Sequence, residues 1–180
     1  MRLFTAIDIA AEVRENLRAL LSRLRPLANL KWSPVDNLHI TTKFIGEWPQ
    51  ERLEEMKRAL ATVPATGLFD VQIRDVGWFP NPQRPRVFWV GVDGGEPLRR
   101  LAHATEEAVA ALGVRIEERE YSPHLTLARI EDRVPLEALR NAVAGMESKS
   151  FGTFKTSAFC LYLSAGGKYT KLAEFATQPQ

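Results

Sequence analysis

Two tetrapeptides of one form stand out in this chain: His39-Ile40-Thr41-Thr42 and His124-Leu125-Thr126-Leu127. The chain has three histidines, so all but His103 fall in this pattern. Each copy sits in an apolar run bounded by turn-forming residues, Asn37 to Gly46 and Ser122 to Asp132. On a strand, side chains alternate between faces. His39 and Thr41 therefore share one face and Ile40 takes the other, and His124 and Thr126 do the same. An imidazole and a hydroxyl two positions apart, ~6–7 Å along the strand, bracket a group of phosphate size. Two such strands brought together offer two hydroxyls for non-bridging oxygens and two imidazoles for entering and leaving oxygens. An imidazole pKa near 6.5 keeps both protonation states within reach, so an acid–base pair works there without a metal. One such tetrapeptide is a common accident; two at repeat-related positions are a signal.

The histidines are 85 residues apart, nearly half of a 180-residue chain, which points to a duplicated half. Arg2-Leu3-Phe4 recurs as Arg86-Val87-Phe88, and Phe69-Asp70-Val71 maps onto Phe154-Lys155-Thr156. Two helical patterns lie between, Leu53, Met56, Leu60, Val63 and Leu136, Leu139, Val143, Met146. Each half reads strand, helix, histidine strand, helix, long strand. Two copies are too few for a repeat array, so this is a single duplication.

The elements that must position the histidines follow from periodicity. A strand is expected over 2–8 and a helix over 10–25, with Val13, Leu17, Leu20, Leu21 and Leu24 on one face, stopped at Pro26. The first histidine strand covers 38–45, a helix 50–62 and a long strand 68–78. Three prolines between Pro80 and Pro85 make a stiff, non-helical junction between the halves. Strand 86–92, helix 96–112, a charged edge strand over 115–120 and the second histidine strand, 122–130, come next. Helix 135–147 and strands 153–163 and 168–176 complete the chain, the last two joined at Gly166-Gly167.

Composition sets the outer bounds. Length suits one domain or two intimate lobes. A net charge of +2 does not by itself indicate a nucleic-acid partner. Cys160 stands alone, which excludes an internal disulfide and suits a reducing, cytoplasmic setting. No apolar stretch reaches the ~18 residues of a membrane span, and the opening residues lack the long apolar core of a signal peptide. No clustered metal-ligand motif, nucleophile elbow or phosphate-binding glycine loop is present, so neither metal nor cofactor is expected. His103 falls opposite Leu101 on its helix and is assigned to solvent. Alternation puts Lys43 on the face of His39 and turns Arg129 away from His124, unless the strand bulges near Ala128. Phe44, the counterpart of Arg129, is open to base stacking or to core packing. Arg84, Arg86, Lys168 and Lys171 lie in or beside loops where they could follow an RNA backbone.

The segments Leu38 to Glu47 and Tyr121 to Arg129 resemble the two signatures of the 2H phosphoesterases. Within that superfamily the chain is most similar to the RNA 2′,3′-cyclic phosphodiesterases, also called LigT-like or 2′-5′ RNA ligases, and Trp78-Phe79-Pro80 with Pro85-Arg86-Val87 is similar to their central segment. The resemblance implies an α+β fold: a bilobal, duplicated domain over 1–180 with two antiparallel sheets, outer helices and a central cleft. Its pseudo-repeats, about 1–84 and 85–180, are related by a pseudo-twofold axis and are free to exchange strands. It implies His39 as proton donor, His124 as proton acceptor, Thr41 and Thr126 on the phosphate, and Arg129 in the cleft; strand alternation makes Lys43 the competing cation, and Phe44, as the counterpart of Arg129, is the further substrate-binding candidate. The expected substrate is an RNA end or nucleotide carrying a 2′,3′-cyclic phosphate, opened to a 2′-phosphomonoester by a monomeric, non-membrane protein. The reverse reaction is a 2′-5′ ligation. A diesterase for small cyclic nucleotides and a non-catalytic nucleotide-binding module are the alternatives.

Overall fold

The computed structural model describes residues 1–131 and 133–177; Asp132, which closes the second histidine run, and the end of the expected 1–180 domain, residues 178–180, lie outside the described residues. The elements are β1 (Arg2–Asp8), α1 (Ala11–Leu24), β2 (Lys31–Trp32), β3 (His39–Glu47), α2 (Leu53–Ala61), β4 (Phe69–Phe79), β5 (Val87–Asp93), α3 (Gly95–Ala110), β6 (His124–Arg129), α4 (Glu137–Ala144), β7 (Ser150–Thr156), β8 (Ala158–Ala165) and β9 (Lys168–Ala176). Helix α1 buries Val13, Leu17, Leu20, Leu21 and Leu24. It gives way to a 3-10 turn over Arg25–Leu27, because the ring of Pro26 cannot continue an α-helix. No helix among the described residues is long and apolar enough to cross a membrane.

The strands form two antiparallel sheets, one in the order β3-β1-β8-β9 and one in the order β2-β6-β5-β4-β7. The halves are interlaced. Strand β4, from the first half, lies beside β5; β8, from the second half, lies beside β1. Helix α1 packs on β7 in the second sheet and α3 packs on β3 in the first. One continuous apolar core therefore draws on both sheets and all four helices. A smaller cluster, Phe4, Ala6, Cys160 and Tyr162, occupies the other face of the first sheet.

Four expectations are corrected. Phe69-Asp70-Val71 and Phe154-Lys155-Thr156 are not repeat mates: they are hydrogen-bonded neighbours, with Phe69 opposite Thr156 and Val71 opposite Phe154. The strand expected over 153–163 breaks at Ser157, and its two pieces join different sheets. Residues 115–120 form no strand, because their polar groups are taken by side chains: Glu106 accepts from the Glu117 amide, and the Arg115 carbonyl accepts from Lys43. Finally, Asp8 pairs with His39 as Gly91 pairs with His124, which relates β1 to β5 at an offset of 83, not the 84 of the Arg-x-Phe match. Strand β2 gave no sequence signal, being two residues long.

The second sheet carries a tight packing constraint close to the histidine strand. A Cβ built on Gly77 would lie 2.1 Å from the Trp89 ring, so the indole packs against bare backbone there. Gly77→Ala is expected to lower stability by roughly 1–3 kcal/mol, the usual cost of overpacking. A urea unfolding curve should show this as a lower midpoint at unchanged slope.

Candidate active site

The two histidine strands lie close together where the sheets meet, β3 at the edge of the first and β6 one strand in from the edge of the second. Each threonine carbonyl is held by a side chain from the opposite half: Tyr121 donates its hydroxyl to Thr41 O at 2.9 Å, and Ser33 donates to Thr126 O at 2.8 Å. The imidazoles are anchored alike. His39 Nδ1 lies 3.0 Å from the Asn37 carbonyl, and His124 Nδ1 lies 2.8 Å from the Ser122 carbonyl. A carbonyl only accepts, so in both rings Nδ1 carries a hydrogen and Nε2 is left to exchange a proton. Each ring also packs on an aromatic side chain, His39 on Tyr162 at 4.5 Å and His124 on Phe79 at 5.0 Å between centroids.

Beyond the threonine, both strands carry a bulge. On β3, Ala6 pairs with Thr41 but Thr5 pairs with Lys43, so Thr42 is extra. On β6, Trp89 pairs with Thr126 but Phe88 pairs with Ala128, so Leu127 is extra. Two consecutive residues then face the core, Thr42 with Lys43 and Leu127 with Ala128. Alternation resumes one residue late, which returns Phe44 and Arg129 to the face of the histidines. Strict alternation had placed Lys43 there; this is corrected. Lys43 is 6% exposed, and its Nζ donates to Glu106 Oε1 at 2.6 Å and to the Arg115 carbonyl at 2.8 Å. Phe44 is 65% exposed, with its ring 6.3 Å from Phe4. Arg129 is exposed and close enough for its charge to depress the pKa of His124.

The surroundings of the two imidazoles then diverge. His39 Nε2 lies 3.5 Å from Asp8 Oδ1. Tyr162 donates its hydroxyl to that same oxygen, and Lys171 Nζ donates to Asp8 Oδ2 at 2.7 Å. Burial pushes the Asp8 carboxyl up, but the bonds from Lys171 and Tyr162 outweigh it and hold the pKa below the usual range. Burial also raises the Tyr162 hydroxyl, and the bond to Asp8 raises Lys171, so both keep their protons. Both imidazoles are pulled below 6.5, chiefly by burial and against the pull of their carbonyl partners. Asp8 works against that shift at His39; at His124 the charge of Arg129 adds to it. Asp8 and Tyr162 were missed in the sequence, and Lys171 was read there as a contact for an RNA backbone. Of the two missed, only Asp8 left a trace there, as a carboxylate ending an apolar strand.

The remaining candidates lie elsewhere or are committed. A concavity of about 690 Å³ lined by Arg84, Arg86, Arg133 and Arg140 contains neither histidine, and the Arg86 guanidinium is bonded to the carbonyl of Glu131 at 2.8 Å. Lys171 is bound to Asp8 and Glu174 instead of standing free for a nucleic-acid backbone. His103 is on the surface, 3.5 Å from Glu107. Asp8, Cys160 and Glu174 bring three possible metal-ligand atoms within 4.8 Å of one another, but the Lys171 ammonium already bridges the two carboxylates.

The chain and its fold are similar to those of known proteins. The profile of the LigT like phosphoesterase family matches twice, over residues 7–89 and 90–168. An RNA 2′,3′-cyclic phosphodiesterase from Archaeoglobus fulgidus is 35% identical over 89% of each chain. One from Aeropyrum pernix is 38% identical over 70% of this chain and 72% of its own. Among solved structures, TT0787 of Thermus thermophilus superposes with a TM-score of 0.77 at 32% identity, covering 98% of both chains. Escherichia coli LigT complexed with 3′-AMP superposes with a TM-score of 0.75 at 27% identity, covering 97% of both.

The inward turn of Lys43 has a measurable consequence. Lys43→Met strands the Glu106 carboxylate, which is only 19% exposed, and is expected to cost roughly 3 kcal/mol of stability. Inorganic phosphate should bind the folded variant as it binds the wild type. A phosphate-binding lysine would show the reverse, with weakened phosphate binding at unchanged stability.

Proposed function

The chain belongs to the LigT-like phosphoesterase family, and on that premise we propose that it hydrolyses the terminal 2′,3′-cyclic phosphate of RNA to a 2′-phosphomonoester without a metal. The observation that carries this reading is the matched anchoring of two imidazoles, each with Nδ1 on a carbonyl two residues back and Nε2 available. Binding alone would not need two rings prepared for proton exchange.

In the proposed reaction, His124 Nε2 takes a proton from water as the water oxygen bonds to phosphorus. The bond from phosphorus to the ribose 3′-oxygen breaks on the opposite side, and His39 Nε2 gives its proton to that oxygen. Thr41 and Thr126 donate to the non-bridging oxygens, and Arg129 stabilises the charge that builds there. This takes up the Arg129 alternative, since the bulge supports Arg129 over Lys43. Phe44, the exposed ring against Phe4, offers a stacking face to a base, an interaction worth ~1–3 kcal/mol that tolerates any sequence.

The reading predicts activity that survives EDTA. Removal of either imidazole, by His39→Ala or His124→Ala, should cost at least ~10²-fold in rate, the scale of a lost general acid or base. The pH dependence has a definite sign. Hydrolysis falls at low pH as His124 takes up a proton, and falls at high pH as His39 loses one. Both imidazoles titrate below 6.5, so the maximum of kcat/KM is expected on the acid side of that value. A chelator-sensitive rate restored by a divalent ion would sink the metal-free mechanism.

The product isomer tests the orientation of the ribose. With His39 beside the 3′-oxygen, phosphorus NMR of a digested RNA ending in a 2′,3′-cyclic phosphate should show the 2′-phosphate. Predominant 3′-phosphate would mean that the histidines exchange roles or that the ribose binds reversed.

A further inference from the structure

The duplication supplies two imidazoles in matching settings, yet one must give a proton and the other take one. Register pairing identifies where the settings differ. Asp8 lies opposite His39, and the equivalent position opposite His124 is Gly91. Tyr162 pairs with Phe4 on β1, and its counterpart, Phe79, pairs with Val87 on β5. The first lobe thus has a carboxylate and a phenol where the second has neither group. The difference is enforced by packing. A Cβ on Gly91 would lie 2.5 Å from the backbone carbonyl of Arg74, so no side chain fits there.

The placement of Asp8 is also specific. Its Oδ1 is 3.5 Å from His39 Nε2, beyond a good hydrogen bond. Tyr162 takes up Oδ1 and Lys171 takes up Oδ2, so the carboxylate is held back from the ring. Its charge favours the imidazolium, while the Nε2 hydrogen is not captured and can pass to a substrate oxygen. From this geometry we propose that Asp8, restrained by Tyr162 and Lys171, is a positioning residue that reserves the proton-donor role for His39. The inference rests on the two-histidine hydrolysis proposed above and deepens it.

The charged and titratable groups around this site come from several elements. Asp8 on β1, Arg14 on α1 and Lys171 on β9 act on His39 by charge, with Tyr162 of β8 and Tyr169 of β9 against its ring. Asp8 also faces Cys160 and Glu174, which share Lys171 with it. Of the three charges on His39, Asp8 favours its protonated form and outweighs either cation singly. Removing Asp8 or Lys171 should therefore move His39 in opposite directions.

The test is histidine NMR titration together with a pH profile of cyclic-phosphate hydrolysis, on the full chain. In Asp8→Asn, His39 should titrate on the order of one pH unit lower, and the high-pH limb of kcat/KM should move with it. In Lys171→Met, both should move to higher pH. Asp8→Glu, which keeps the carboxylate, should recover part of the loss, and His124 should titrate as in the wild type throughout. An unmoved His39 in folded Asp8→Asn, or a rate lowered equally at every pH, would overturn the proposal. Should Asp8→Asn fail to fold, Lys171→Met decides, and no upward shift of His39 there overturns it. The NMR arm needs no turnover, so a chain that hydrolyses no cyclic phosphate would count against the hydrolytic reading alone.

Discussion

Directly after the threonine, each histidine strand carries an extra residue relative to the strand paired with it, and the composition of the site depends on that residue. A bulge spends no side chain of its own on the cleft; it changes which later side chains arrive there. Without it, Lys43 would stand beside His39, and Arg129 would point into the core with Leu125. With it, an ammonium is buried on Glu106, and an aromatic ring and a guanidinium come forward on opposite strands. The bulge occurs at the same place in both halves, so one backbone irregularity yields two different outcomes from two different side chains.

Interlacing explains why these strands stay in register. Neither half supplies a complete sheet of its own: β4 completes the sheet of the second half and β8 that of the first. The side-chain clamps on the two threonine carbonyls run the same way, Ser33 reaching to Thr126 and Tyr121 to Thr41. Hydrogen bonds fix the threonine main chain from across the molecule, and the shared core removes the option of independent lobes. A site whose two proton-exchanging groups come from separate repeats is held rigid by this exchange, because preorganisation rests on the scaffold and not on a loop.

What could be read from the sequence divides along the range of the interaction that decides each feature. The shared face of His39 and Thr41 follows from a period of two and holds in the structure, as do the helix and strand types around them except over 115–120. The positions of Lys43 and Arg129 depend on pairing between two strands, which no single-strand period contains. The break at Ser157 is similar: residues 153–163 read as one strand, and only their pairing with partners in two different sheets divides them. The Asp8 contacts lie further out of reach. Tyr162 is 154 residues away and Lys171 is 163, so the cluster exists only once the last hairpin closes on the first strand.

A duplicated site begins with two equal imidazoles, but in-line displacement is not symmetric about phosphorus. One side receives a nucleophile that must lose a proton, and the other releases an oxygen that must gain one. Symmetry therefore has to be broken, and the structure breaks it with few groups: a carboxylate against a glycine, a phenol against a phenyl ring, and a lysine that keeps the carboxylate occupied. The shared features are those both sides of the proposed reaction require, the carbonyl on Nδ1, the threonine and the aromatic backing. The differences sit on the strands beyond, β1, β8 and β9 in one sheet and β5 and β4 in the other, where charge biases a proton without blocking the phosphate. Such a placement lets one fold keep its pseudo-symmetric frame and still assign direction, since altering β1 and β8 leaves the tetrapeptides of β3 and β6 untouched.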